Sequence, residues 1–171
     1  MGLGFVPDER VNENCFGDTR TKVNPPLRSA SDVQAIKEAI ADGTIDVIVT
    51  DHAPHAATDK EVDYEQAAFG ISGLETAVPL CLALWRDGIV TLARLVAMLT
   101  VNPARILGLD AGTLGLGATA DVTVVDPGRS WTVDPARMRT KGKNTPFAGT
   151  TVHGLVTHTI VAGRLAFAAE A

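Results

Sequence analysis

Asp51, His52 and His55 stand together in the segment Asp51-His52-Ala53-Pro54-His55, directly after the apolar run Val47-Ile48-Val49. A carboxylate at the end of such a run can bind a divalent cation and exchange a proton with water whose pKa that cation has lowered. His55, displaced by the Ala53-Pro54 turn, can ligate a metal or bind an anionic substrate. His52 is the weaker candidate, because adjacent side chains on an extended segment point opposite ways. The competing role for Asp51 is structural, an aspartate capping the next segment with histidines packed nearby.

A second candidate is Asn24-Pro25-Pro26-Leu27-Arg28. An amide and a guanidinium held by a proline-stiffened turn suit a substrate that carries carboxylate and amide groups. The alternative is a rigid turn with Arg28 in a surface ion pair. Phe69-Gly70 is the third, since glycine lets backbone groups approach a ligand, although it more often marks a turn. His153 and His158 fall in β-patterned sequence and read as half-buried strand residues. No Gly-x-Ser-x-Gly elbow supports serine-nucleophile chemistry.

The elements that must position these residues follow from periodicity and punctuation. Residues 1–20 mix Gly, Asn, Pro and charges without a structural period and read as an irregular leading segment. Residues 21–24 suit a short strand ended by Pro25-Pro26, which places Asn24 at a strand end. Ser31-Asp32 signals a helix start, Val33, Ile36 and Ile40 recur at helical spacing, and Gly43 supplies the stop. Val47-Ile48-Val49 has the continuous apolar character of a parallel strand covered on both faces, so Asp51 falls at its carboxyl end, where α/β barrels place catalytic groups. A loop of about twenty residues ends at Phe69-Gly73, long enough to suggest function. Three helices are then expected: one from Leu74 to about Trp85 kinked at Pro79, one capped by Thr91, and a short one begun by Asn102-Pro103 and closed by Gly108. From Gly112 onward, Gly-rich turns separate β-branched runs at 120–126 and 155–161, and Ala162-Gly163 can turn a hairpin into 164–167. The boundary between the two textures lies near residues 109–113.

Composition limits the alternatives. The chain has 171 residues, 46% of them hydrophobic, 20% charged and 5% aromatic, a globular balance rather than a disordered one. A net charge of −5 removes the basic field that non-specific nucleic-acid binding needs. The short basic run Arg137, Arg139, Lys141 and Lys143 reads as a solvated loop. Cys15 and Cys81 belong to no CxxC pair, so neither a disulfide framework nor a zinc knuckle is signalled and a reducing cytoplasm is the expected setting. No apolar run reaches membrane-spanning length and no secretory signal is evident. The length falls short of the roughly 250 residues of a complete (β/α)₈ barrel.

Taken in order, Lys22-Val23-Asn24-Pro25-Pro26-Leu27-Arg28, Thr50-Asp51-His52-Ala53-Pro54-His55 and Phe69-Gly70-Ile71-Ser72-Gly73-Leu74-Glu75-Thr76 resemble the carboxyl-terminal half of dihydroorotases in the amidohydrolase superfamily. The later segments 99–104, 117–121 and 144–149 fit the same pattern. The Asp-His-Ala-Pro-His segment joined to an upstream Asn-Pro-Pro-Leu-Arg is specific within the superfamily, whereas Gly-x-x-Ala-Asp is shared with dihydropyrimidinases and allantoinases.

The resemblance implies an α/β fold: the C-terminal portion of a (β/α)₈ TIM barrel, its last two β/α units at 21–111, followed by a small β-sandwich segment at 112–171. It implies zinc-dependent, reversible cyclisation of N-carbamoyl-L-aspartate to (S)-dihydroorotate in pyrimidine biosynthesis. Asp51 then corresponds to the metal-ligating aspartate that acts as general acid and base, Asn24 and His55 to substrate contacts, and Phe69 with Gly70 to backbone contacts with the ring. The family's binuclear zinc site draws on an N-terminal His-x-His and middle-strand ligands that this sequence does not display, so the ligand set is incomplete and the chain alone is expected to be inactive. Expected partners are a missing N-terminal half, a second copy or aspartate carbamoyltransferase, with no nucleic acid and no membrane. The alternatives are a non-catalytic structural partner of aspartate carbamoyltransferase and another cyclic-amide hydrolase.

Overall fold

The computed structural model describes residues 17–169, so the leading segment 1–20 and Cys15 lie largely or wholly outside the described residues. A turn of 3₁₀ helix at Thr19–Thr21 leads to the first long helix, α1, Ala30–Asp42. The start of α1 is set two residues earlier than the Ser31-Asp32 signal suggests. Ser29 is the N-cap, its hydroxyl accepting from the Asp32 N–H while Asp32 reaches back to the Ser29 N–H. This reciprocal arrangement satisfies two backbone donors that the first turn leaves unpaired. Gly43 ends the helix at φ 98°, as its type predicts.

A one-turn helix α2, Ala57–Lys60, breaks the long loop. Helix α3 covers Ala77–Arg86, α4 Leu92–Leu99 and α5 Val101–Leu107. Pro79 does not kink α3. It is the third helical residue, where the missing N–H would have had no intrahelical partner. Thr91 caps α4 through the Arg94 N–H, and Gly108 closes α5 at φ 66°. The start of α5 is Thr100 rather than Asn102. The Asn102 amide instead donates 2.7 Å to the Asp46 carbonyl and ties α5 to the segment before the Asp51 cluster.

The runs at 21–24 and 47–49 are not strands here. A strand exists through its ladder, and no ladder joins these two segments or pairs either with another among the described residues. A single parallel bridge joins His52 and Ile71. The three true strands form an antiparallel sheet in the order β1 (Val122–Thr132), β2 (Thr151–Val161), β3 (Arg164–Ala168). β1 runs past the Asp126-Pro127-Gly128 punctuation because those residues form an irregularity between Asp126 and Ser130, with the Asp126 carboxylate accepting from the Gly128 and Arg129 N–H groups. The Ala162-Gly163 turn forms as expected, both residues at positive φ. His153 and His158 lie on β2 but are exposed rather than half-buried.

The main core joins Ile40 of α1 to Leu82 and Leu84 of α3 and to Leu95 and Met98 of α4. Complete burial of Leu84, Leu95 and Met98 contributes about 1.5–3 kcal/mol each. A second cluster, Val133, Met138, Phe147 and Val152, packs Trp131 and Leu80 against it. The sheet rests on α3. Gly154 sits at φ 103° with its backbone pressed against Leu82, and the Arg86 guanidinium donates to the carbonyls of His153 and Pro127. Among the described residues no helix is long and apolar enough to cross a membrane.

Candidate functional site

Four of the five singled-out residues border one pocket: Asn24, Asp51, Phe69 and Gly70. Its apolar wall includes Ile71, Leu80, Cys81 and Phe147, so α3 and the segment after β1 both contribute. Asp51 is solvent-exposed and adopts φ 45°, a left-handed conformation that few non-glycine residues take, aspartate more readily than most. His55 stands beside the pocket rather than on its wall. Its Nε2 lies 2.9 Å from the Phe69 carbonyl oxygen, and Nδ1 lies 3.8 Å from the Asp59 carboxylate.

His52 has a structural task. Its Nδ1 accepts from the N–H groups of Gly73 at 3.2 Å and Leu74 at 3.1 Å, so that nitrogen carries no proton and the ring holds the approach to α3. Arg28 also turns away from the pocket, its guanidinium 3.5 Å from the Asp32 carboxylate in an exposed pair one helical turn apart. Such pairs contribute about 0–1 kcal/mol.

The Phe69-Gly70 backbone is densely bonded. The Gly70 N–H donates to the Lys22 carbonyl at 2.9 Å, and the Gly70 carbonyl accepts from Lys60 at 3.1 Å and Asn144 at 3.0 Å. Gly70 has φ 145°, and a Cβ there would lie 2.7 Å from both Ala53 Cβ and Ala53 O. Only glycine allows this approach between the two loops.

Two buried lysines brace the loop without a carboxylate ion pair among the described residues. Lys60 donates to the carbonyls of Ala68 at 2.7 Å and Gly70. Lys22 donates to those of Tyr64 at 2.7 Å and Glu65 at 2.9 Å, and stands 4.6 Å from the centre of the Phe69 ring. Burial holds the Lys60 ammonium below its ordinary pKa, the nearby Lys22 charge adds to the effect, and Asp18 opposes it. Burial pushes the Cys81 thiol up to about 11.

Sequence reasoning missed Lys60, Ser72, Gly142 and Asn144. Ser72 Oγ donates to the Gly142 carbonyl at 2.8 Å and lies 3.0 Å from Asn144 Oδ1. These partners are some seventy positions apart in the chain. Only Ser72 stands in an apolar run; Lys60 lies between Asp59 and Glu61, and Gly142 and Asn144 flank Lys143, so nothing local distinguishes them from a solvated loop.

A zinc site asks for three or four ligands from His, Cys, Asp or Glu converging on one point. Among the described residues no group of three such side chains is placed to hold a metal ion. Asp51 with one histidine nearby does not meet that requirement, so the described residues do not by themselves fit a complete zinc centre.

Comparison with known proteins adds an independent line. The model of the amidohydrolase family matches residues 9–166. A dihydroorotase of Syntrophus aciditrophicus is 58% identical over 150 residues, an alignment covering 88% of this chain and 35% of that protein. A dihydroorotase of Anaeromyxobacter dehalogenans is 59% identical over 160 residues, covering 94% and 37%. Among solved structures, an L-hydantoinase (dihydropyrimidinase) from Arthrobacter aurescens superposes with a TM-score of 0.81 at 33% identity, over 91% of this chain and 37% of that one. The chain thus spans about a third of the length of the relatives it matches.

Proposed function

The chain belongs to the amidohydrolase family, and from that premise we propose that it is part of a dihydroorotase, interconverting N-carbamoyl-L-aspartate and dihydroorotate when joined by the segment its relatives carry in addition. The observation that supports this reading most directly is that Asn24, Asp51 and the Phe69-Gly70 pair border one pocket, with His55 hydrogen-bonded to Phe69 beside it. In the reading, Asp51 moves the proton to and from the ring nitrogen, and the Asn24 amide and His55 orient carboxylate and amide groups of the substrate. Phe69 and Gly70 face the ring through their backbone. Zinc belongs to the proposal as the cofactor of the assembled enzyme, with Asp51 the one ligand assigned here. Residues 21–111 supply the last two β/α units of a barrel, the unladdered runs 21–24 and 47–49 being its strands, and 112–171 a segment of a small β domain.

The test is dihydroorotate turnover by this chain alone and mixed with a polypeptide carrying the remaining two-thirds of a dihydroorotase relative. Turnover in the mixture, reduced about 10²-fold or more by Asp51→Asn, is the expected result for a positioned acid–base group. Turnover that is indifferent to Asp51→Asn removes that residue from its role. A mixture that opens hydantoin faster than dihydroorotate moves the assignment to the hydantoinase-like reading that the Arthrobacter aurescens structure favours. A zinc-independent complex with aspartate carbamoyltransferase and no turnover points to a non-catalytic partner.

A further inference from the structure

Asn144 is buried in the segment after β1 and joins two loops that are 89 and 74 positions away from it in the chain. Its Oδ1 accepts from the His55 backbone N–H at 2.9 Å and lies 3.0 Å from Ser72 Oγ. Its Nδ2 donates to the Gly70 carbonyl at 3.0 Å and, more weakly, to the Ala53 carbonyl at 3.4 Å. A primary amide has two donors and two acceptor lone pairs; this one places both donors and one acceptor, while the Ser72 hydroxyl, whose single proton goes to the shorter contact with the Gly142 carbonyl, stands beside the other lone pair. No other side chain of that size offers both sets on one planar group. An aspartate would keep the acceptors and turn a carboxylate toward two carbonyls.

The segment that carries Asn144 is itself fixed. The Glu75 carboxylate accepts from the N–H groups of Arg139 and Thr140, each at 3.0 Å, and the Asn144 carbonyl accepts from the Ser72 N–H at 2.8 Å. Between these anchors Gly142 lies so close to the other loop that a Cβ would stand 2.6 Å from Pro54 Cβ and 2.7 Å from the His55 nitrogen. The 139–145 segment is therefore a clamp seated on Pro54-His55, with Asn144 reaching through to Gly70.

We propose that Asn144 is a positioning residue that sets the distance between His55 and the Phe69-Gly70 backbone, and thereby substrate affinity at the pocket. The functional half of this inference rests on the dihydroorotase reading, whereas the geometric half does not. The clamp acts at the point where the two loops meet, since the His55 ring is bonded to Phe69 O while Asn144 holds the backbone of residue 55 and of residue 70.

The experiment compares the full chain with Asn144→Ala and Asn144→Asp by amide hydrogen exchange, and then by dihydroorotate kinetics in the complemented mixture. Asn144→Ala is expected to speed exchange of the His55 amide about tenfold, the factor equivalent to one net hydrogen bond. The Leu95 amide, bonded to the Thr91 carbonyl in α4, should exchange as before. Asn144→Asp should keep the His55 amide protected while KM rises, because the acceptor survives and both donors are lost. In turnover, KM rises about tenfold for Asn144→Ala with kcat within about twofold, a split that general destabilisation would not produce. An unchanged His55 exchange rate in Asn144→Ala, equal loss of protection in both variants, or an unchanged KM overturns the inference. Absence of turnover in the wild-type mixture overturns the dihydroorotase reading alone, and the exchange result then decides the clamp.

Discussion

Replacing Gly70 with alanine tests the close approach on which the pocket depends. The added methyl would lie 2.7 Å from Ala53 Cβ and Ala53 O and 3.0 Å from His55 Cδ2, where carbon contacts normally settle at about 3.5–4.0 Å. Ala53 cannot easily retreat, because its N–H is bonded to the Ile71 carbonyl at 3.0 Å. Overpacking of this kind costs about 1–3 kcal/mol, and a non-glycine residue at φ 145° costs about 1–3 kcal/mol more. The sum, about 2–6 kcal/mol, is a large share of the roughly 5–15 kcal/mol that stabilises a typical domain. Two other glycines separate the components. Gly142→Ala brings only the clash, with Pro54 Cβ at 2.6 Å, while Gly108→Ala brings only the backbone cost, since φ is 66° and nothing lies within 4 Å. Urea unfolding of the three variants should therefore rank Gly70→Ala as most destabilised. A loss of about 2 kcal/mol moves the midpoint by about 1 M at a slope near 2 kcal/mol per molar. The reasoning fails if Gly142→Ala unfolds with the wild-type midpoint, or if Gly70→Ala costs no more than Gly108→Ala.

Lys60→Met removes the ammonium that ties the carbonyls of Ala68 and Gly70; the Gly70 carbonyl keeps the Asn144 amide, but the Ala68 carbonyl loses this donor, at a cost of about 1–3 kcal/mol. Limited proteolysis within 57–70 should accelerate about tenfold, and an unchanged cleavage rate would show that the loop is held by other means. Because the Cys81 thiol is pushed up from its ordinary 9.0 to about 11, the folded state keeps a proton there that the unfolded chain loses, so this contribution to stability is intact below pH 9 and lost as pH rises through 11. The shift of about two units corresponds to about 3 kcal/mol, and the gap in urea midpoint between pH 8 and 11 should shrink in Cys81→Ala, whereas an equal gap in both proteins would refute the assignment. Comparing the two proteins cancels Lys60, whose lowered pKa acts with the opposite sign, raising stability as pH climbs from its depressed value toward 10.5.

The sequence made visible those features that a few neighbouring residues decide. Gly43, Thr91, Gly108 and the Ala162-Gly163 turn act through local backbone geometry and stand where residue type placed them. Local signals erred where two satisfied the same rule. Ser29 and Ser31 can each cap a helix, and the reciprocal bond from Asp32 selects Ser29. Asn102-Pro103 mimics a helix start, yet the Asn102 amide is engaged by Asp46, a partner outside the local window. The 21–24 and 47–49 runs have strand composition without strand pairing, because a ladder is a property of two segments and neither can be read from one. For the candidate site, residue chemistry led to Asn24, Asp51 and the Phe69-Gly70 pair, which do share a pocket, but not to Lys60 or Asn144. Their roles consist of bonds to backbone carbonyls, which every residue possesses and no residue type announces.

The charge distribution around the pocket bears on what this chain can do alone. A dianionic substrate needs cationic or strongly polarising groups, yet among the described residues bordering the pocket there is no lysine or arginine. The cations closest in sequence to its walls are otherwise engaged: Lys22 by the carbonyls of Tyr64 and Glu65, Lys60 by those of Ala68 and Gly70, and Arg28 by Asp32. Withdrawing either lysine to bind an anion would break its charge-assisted hydrogen bonds to backbone carbonyls, about 1.5–3 kcal/mol each, which is more than an exposed ion pair returns. Residues 17–169 therefore supply to the pocket shape, an apolar wall, the Asn24 amide and the Asp51 carboxylate, but no cation. On the proposed reading the attraction for two carboxylates must come from groups outside that range. The chain spans about a third of its relatives' length, and on the proposed reading orientation and charge neutralisation fall on different parts of the assembled protein.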